Sequence, residues 1–400
     1  MTTTTAQTHG KSPSQRLAQT YRFNDPDMDL FFVGALSWGP TGGLDIGQAF
    51  YVASQIEDGN ADSWVDGFCA YGARMNAQAD TWAARGWTRQ AGEMRLKAAA
   101  SYRSAWQFAS VAPIASGNDF ISIYAREKAA FAAAMRELGL PATFFELPYK
   151  SASLPGVFLQ NANPDAPVIL VIGGSDTGFE DLFLSVGRSL FDRGYSVAMA
   201  DLPGQGDRAA YGLHWEAESE KPIGLIVDHL VSAFKAVPGR IALLGLSLGG
   251  YFVTRAAGYE TRFGAVIAST PFPNPGEMFA RSVEVAKATY VSAPPSQAAQ
   301  RNRTILAWKA GAATPDEMVA KTAAMAADPA RVTVPFLSVI GGGESPIFAG
   351  QGRAWHAAIP STQKALVELD AATGADGHCQ INNRLRLVQE ITGWLGEVMA

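Results

Sequence analysis

Cysteine, charge and long apolar runs are all scarce in this chain, and each shortage closes off a class of protein. Only two cysteines occur among 400 residues, Cys69 and Cys379, far apart and in segments of different pattern. No disulfide framework can be built from them, which favours a reducing compartment, and a cytoplasmic protein is expected. Charged residues make up 17% of the chain, the formal net charge is -5, and no dense Lys/Arg run occurs. That removes the electrostatic footprint of a nucleic-acid partner. No stretch approaches about 18 uncharged apolar residues, and the opening MTTTTAQTHGKSPSQ has no apolar h-region, so neither a membrane span nor a signal peptide is expected. No His/Cys/Asp cluster has metal-ligand spacing and H-E-x-x-H is absent, so no metal and no cofactor is expected. No internal repeat of about 20–50 residues is found.

What the chain does have is apolar side chain, at 48%, enough for a large interior. Its length exceeds the usual ~100–200 residues per domain, which suggests two domains. Residues 1–20, rich in Thr, Ser and Gln, read as a flexible tail. Residues 21–140 read as an all-helical cap domain, with apolar-periodic stretches such as 91–109 and 121–138 separated by Gly and Pro. Five of the nine tryptophans lie there, and their first meaning is helix–helix packing rather than a pocket. Residues 141–400 change period. Short β-rich runs at 143–148, 156–160, 168–172, 196–200, 241–244, 265–268, 335–340 and 365–369 alternate with helical patterns, the signature of a doubly wound, mainly parallel sheet. The first two runs, close together, predict an antiparallel edge. Between Ser269 and Val334 the chain spends about 65 residues where a βα loop takes about 2–6. The helical patterns at 276–290, 297–310 and 315–327 predict a helical lid over the strand C-termini, inserted at about 271–330.

The strongest chemical signal is IALLGLSLGGYF, in which a strand runs into Gly245–Leu246–Ser247–Leu248–Gly249, a G-x-S-x-G, and an apolar helix follows. A serine on so tight a strand-to-helix turn needs small neighbours two positions either side, and Gly245 and Gly249 supply them. A serine hydroxyl needs a base. Of five histidines, only His378 lies in a polar loop after the last strand and before the closing helix, in ATGADGHCQINN. The supporting acid belongs after the strand at 335–340, where VIGGGESPIF contains one carboxylate, Glu344. Asp370 and Asp376, which flank the histidine loop, are rivals. Two backbone N–H groups must meet the oxyanion. One belongs to Leu248, and the other to the GGSDTGFED loop, at Ser175 or at Gly174, which is also a candidate pocket residue. DLPGQGD, from Asp201 to Asp207, lacks the spacing of a nucleotide loop and reads as a turn beside the site.

With these residues in hand, the sequence resembles the α/β-hydrolase family that includes dihydroxypseudooxynicotine hydrolase and the fungal hydrolases that shorten pigment polyketides. The matching pieces are ARGWTRQAGEMRLKAAASYRSAWQFA, IGGSDTGFED, DLPGQGD, GLSLGG and GADGHCQINN, over most of residues 30–395. The resemblance implies an α/β-hydrolase fold with an N-terminal helical cap, a Ser/acid/His triad, a pocket between cap and core, and often a homodimer. It implies hydrolysis of an ester or of a carbon–carbon bond beside a ketone. It also implies a functional acidic residue soon after the sixth strand, for which Glu277 is the nearest match, and an Asp where Glu344 stands. The expected function is a serine hydrolase working through an acyl-enzyme on a bulky hydrophobic or aromatic carbonyl compound of secondary metabolism or catabolism. Acyl transfer or cyclisation by the same triad, and a non-catalytic binding protein on the same fold, stay open.

Overall fold

The computed structural model describes residues 16–291 and 294–399. Residues 1–15, most of the expected tail, lie outside them. Five helices come first: α1 (Pro26–Ser37), α2 (Ile46–Ala53), α3 (Ala61–Ala83), α4 (Thr88–Trp106) and α5 (Phe120–Glu137). Their starts follow from side-chain caps. The Asp25 carboxylate accepts from the backbone of Asp27 and Met28, Asn60 from Ser63, and Asp119 from Ser122, each satisfying N–H groups that a helix start leaves open.

Eight strands follow: β1 (Ala142–Tyr149), β2 (Ala152–Leu159), β3 (Val168–Ile172), β4 (Ser196–Ala200), β5 (Ile241–Leu246), β6 (Phe263–Ser269), β7 (Phe336–Gly341) and β8 (Lys364–Leu369). They form one sheet in the order β1-β2-β4-β3-β5-β6-β7-β8. The pairs β1/β2 and β2/β4 are antiparallel and all others parallel, so the antiparallel edge and the parallel body both lie where the sequence pattern puts them. Every residue of β3, β4 and β5 is buried, because helices cover both faces. The period-2 alternation then sorts side chains between two cores. Ile169, Val171, Ala242 and Leu244 join the N-terminal helices on one face, while Val168, Leu170, Ile241 and Leu243 pack on the other.

The N-terminal helices share the first core with the sheet. Trp64 and Trp106 are fully buried in it, and Trp38 Nε1 donates to Ser185 Oγ at 3.0 Å across the junction. The segment between β6 and β7 carries three helices, Pro275–Thr289, Gln297–Lys309 and Pro315–Thr322. Among the described residues no helix is long and apolar enough to cross a membrane.

Where α5 meets the core, carboxyls are buried in unusual number. Tyr124 donates its hydroxyl to Glu180 Oε2 at 2.7 Å and lies 3.3 Å from Asp201 Oδ2, and Trp106 Nε1 donates to Glu127 Oε2 at 2.5 Å. Burial pushes Glu127 and Glu180 up from 4.5 to about 8. Carboxyls raised on folding bind more protons in the folded state, so their contribution is fully present below the unfolded value near 4.5 and is lost as pH climbs to about 8. Thermal unfolding between pH 6 and 9 should therefore show a falling Tm, and Glu180→Gln should flatten that fall. An unchanged slope in the variant would remove this cluster as its cause.

Candidate functional site

Ser247 stands between the end of β5 and the helix Gly249–Ala256, with a left-handed backbone at φ 59°. A non-glycine residue in that region is strained, and tight packing holds it there. A Cβ on Gly245 would come within 2.3 Å of Gly249 O, and one on Gly249 within 2.5 Å of Ile172 O, so neither glycine can be replaced without moving backbone. Ser247 N donates to Ser269 O at 2.9 Å, which fixes the turn against β6.

The histidine loop is pressed against the end of β7 by the same kind of contact. A Cβ on Gly341 would meet Asp376 O at 2.4 Å, and Gly343 N donates to Asp376 O at 2.8 Å. This close approach lets Glu344, just past β7, reach the imidazole. His378 Nε2 lies 2.9 Å from Ser247 Oγ, and His378 Nδ1 lies 2.5 Å from Glu344 Oε1. Thr270 donates to Glu344 Oε2 at 2.7 Å, so both carboxylate oxygens are engaged, and Glu344 is only 2% exposed. Burial works against a charged imidazolium, but the adjoining Cys379 and Glu344 outweigh it and hold His378 above the ordinary histidine value. Chemically, the arrangement can move the Ser247 proton to Nε2 while the carboxylate fixes the tautomer through Nδ1–H.

The rival acids lie elsewhere. Asp376 accepts from Asn382 Nδ2 at 2.8 Å, and Asp370 accepts from Thr373 N at 3.1 Å as the cap of a short turn. Leu248 is buried at the start of the helix after Ser247, where backbone N–H groups gather. Gly174 lies so close to Ser247 that a Cβ there would sit 2.6 Å from Ser247 Cβ, while Ser175 is buried and donates its hydroxyl to Asp176 Oδ2 at 3.2 Å. Glu277 is not brought to the site. It is exposed in the first turn of the helix Pro275–Thr289, where an acidic side chain suits the positive end of the helix dipole, and it accepts from Gln351 Nε2 at 3.2 Å.

A cavity opens beside Ser247 and His378, walled by α1 at Leu30, Phe31 and Gly34, by Trp38, by α4 at Arg103 and Ser104, and by Gln107 just past it. Its other wall comes from the loop after β3 and from Ile381 and Arg384. Among the described residues, none of the inserted segment between β6 and β7 lines it. The expected lid therefore does not roof this cavity; the N-terminal helices do. Arg16 also reaches the wall, pairs with Asp27, and accepts a hydrogen bond on its carbonyl from His378 N at 2.8 Å. Arg16, expected in the tail, is thus held against the site, and the short polar stretch carries no periodic signal by which to see it. Nor did the sequence mark Cys379, whose thiol donates to Ser269 O at 2.9 Å and accepts from Ser247 N at 3.0 Å. Among the described residues no group of three His, Cys, Asp or Glu side chains could hold a metal ion.

Comparison with known proteins agrees with this architecture. A family model described as "Alpha/beta hydrolase family" matches residues 168–394, more than half of the chain. The chain is 26% identical over 260 residues to hydrolyase poxO of Penicillium oxalicum, covering 62% of this chain and 62% of that protein. It is 30% identical over 240 residues to 20-hydroxy-prefusarin hydrolase of Gibberella moniliformis, covering 56% of each. The match with poxO thus spans about 62% of that relative's own length. Among solved structures, 2,6-dihydroxy-pseudo-oxynicotine hydrolase superposes with a TM-score of 0.70 at 21% identity, over 91% of this chain and 95% of that one. The wild-type AbyA5 structure superposes with a TM-score of 0.61 at 18% identity, over 93% of this chain and 99% of that one.

Proposed function

The chain belongs to the alpha/beta hydrolase family, and from that premise we propose that it is a serine hydrolase that works through an acyl-enzyme on Ser247. The observation that carries this reading is the continuous Ser247–His378–Glu344 hydrogen-bond chain opening onto a cavity. Ser247 Oγ attacks a carbonyl carbon as His378 Nε2 takes its proton, and the carbonyl electron pair moves onto oxygen. Backbone N–H groups at Leu248 and at Gly174 or Ser175 receive that oxyanion. Collapse expels an alkoxide, or a carbanion stabilised by a neighbouring ketone, which takes the proton from His378 as it leaves. Water then attacks the acyl-enzyme with His378 again as base, releasing the carboxylic acid and restoring Ser247.

Leu30, Phe31, Trp38 and Ile381 on the cavity wall favour a substrate with a bulky apolar or aromatic body. The relatives named as a hydrolase of 20-hydroxy-prefusarin and of 2,6-dihydroxy-pseudo-oxynicotine support a carbonyl compound of secondary metabolism or catabolism. A fluorophosphonate should label Ser247, and turnover should then appear in a panel of aryl esters and aryl 1,3-diketones. Label on any other residue, with Ser247 unmodified, would overturn the assignment.

A further inference from the structure

The cavity beside Ser247 holds more polar groups than this chemistry uses. Arg16, Arg103 and Arg384 reach its wall together with Asp176 and Asp181. Arg16 pairs with Asp27, and Arg103 pairs with Asp181 while donating from Nη1 to Gln107 Oε1 at 3.0 Å. Arg384 stands apart. Its Nη1 donates to Cys379 O at 2.7 Å, but its Nε is closed off from solvent with no hydrogen-bond partner, and among the described residues the side chain makes no ion pair. Asp181, whose charge favours the cation, is already held by Arg103, whose own charge opposes it. Burial keeps Arg384 below the ordinary arginine value, as a desolvated cation without full counter-charge should be.

Arg384 is the first residue of the helix Arg384–Val398, and its bond to Cys379 O has a plain structural use, since it clasps the histidine loop. That use occupies one of five N–H groups of a guanidinium and leaves the Nε side unexplained. The side chain is part-buried and lines the cavity, so a guanidinium with so few partners there can take a ligand on its open edge. We propose that Arg384 receives an acidic oxygen of the substrate, a carboxylate or an enolate, while the reacting carbonyl lies at Ser247 and the apolar body against Phe31 and Trp38. The inference rests on the reading of Ser247 as nucleophile. The N–H groups that Cys379 O does not occupy can donate to an oxygen of a carboxylate or of an enolised 1,3-diketone.

The test measures protection of Ser247 from an uncharged fluorophosphonate by three ligands: 4-phenylbutyrate, its primary amide, and benzoylacetone as the enolic 1,3-diketone. In the parent protein the carboxylate or the diketone should protect at about tenfold lower concentration than the amide, a charge-assisted advantage worth one decade. Which of the two does so identifies the acidic oxygen. In Arg384→Gln the ratio to the amide should fall to about one, and in Arg384→Lys it should be partly retained. The ratio is internal to each protein, so a general loss of reactivity cancels. Equal protection by all three ligands in the parent, or an unchanged ratio in Arg384→Gln, would overturn the proposal. If Arg384→Gln does not fold, the parent ratio and the lysine variant decide. Failure of the probe to label Ser247 at all would bring down the nucleophile reading, and this inference with it.

Discussion

Ser247→Ala is expected to fold like the parent and to lose turnover by about 10⁴-fold or more. The substitution removes one oxygen and leaves the left-handed turn, its flanking glycines and the Ser247 N to Ser269 O bond in place. What it deletes is the atom 2.9 Å from His378 Nε2, so the cost to folding should stay near that of a single hydrogen bond, about 1 kcal/mol. The loss of rate is large because residues that act as a unit fail as a unit. Steady-state turnover read beside a thermal unfolding curve separates the two effects. A variant retaining a tenth of the parent activity would show that another group attacks the carbonyl.

Glu344→Gln is the second large effect, expected at about 10²–10⁴-fold in kcat with the fold retained. The amide keeps the shape of the side chain and can still accept from Thr270, but it cannot steady the imidazolium or hold Nδ1–H as a carboxylate does. A merely structural Glu344 would leave the pH profile alone. As part of the reason His378 sits above the ordinary histidine value, it should instead set the acid limb of kcat/KM. The neutral base exists only above the histidine pKa, so activity rises with pH, and in the variant the midpoint should move to lower pH. Asp376→Asn should cost far less, since Asp376 faces Asn382 rather than the imidazole. The reverse order of losses would make the histidine loop the source of the acid.

These two variants concern the part of the site that sequence made legible. β5 ends in a strand-to-helix turn that demands glycines at fixed offsets, and chain order confines the acid and the base to the loops after β7 and β8. Such rules act through local backbone geometry, which a linear pattern records. β3 and β4 were placed to the residue for the same reason, being short, fully buried and bounded by polar turns. Arg16, Arg103 and Arg384 were missed because nothing local distinguishes an arginine on a cavity wall from one on a solvated helix. Glu277 was misplaced by analogy, since an acid in the first turn of a helix already has a local reason to be there. For the insertion, the sequence leaves direction open. A run of helices announces that something extra packs near the strand ends, but not toward which side of Ser247 it leans.

That the roof of the cavity comes from α1 and α4 bears on how such a protein could change its diet. Drift in the helices between β6 and β7 reaches the cavity walls at second hand, through contacts such as Gln107 Nε2 to Asn302 Oδ1 at 3.4 Å, so it offers selection less purchase on substrate scope. Leu30, Gly34 and Ser104 are another matter, for they border the space without touching the Ser247–His378–Glu344 chain through any hydrogen bond. A directed-evolution library aimed at new acyl groups should randomise those three positions first and leave the insertion as it is.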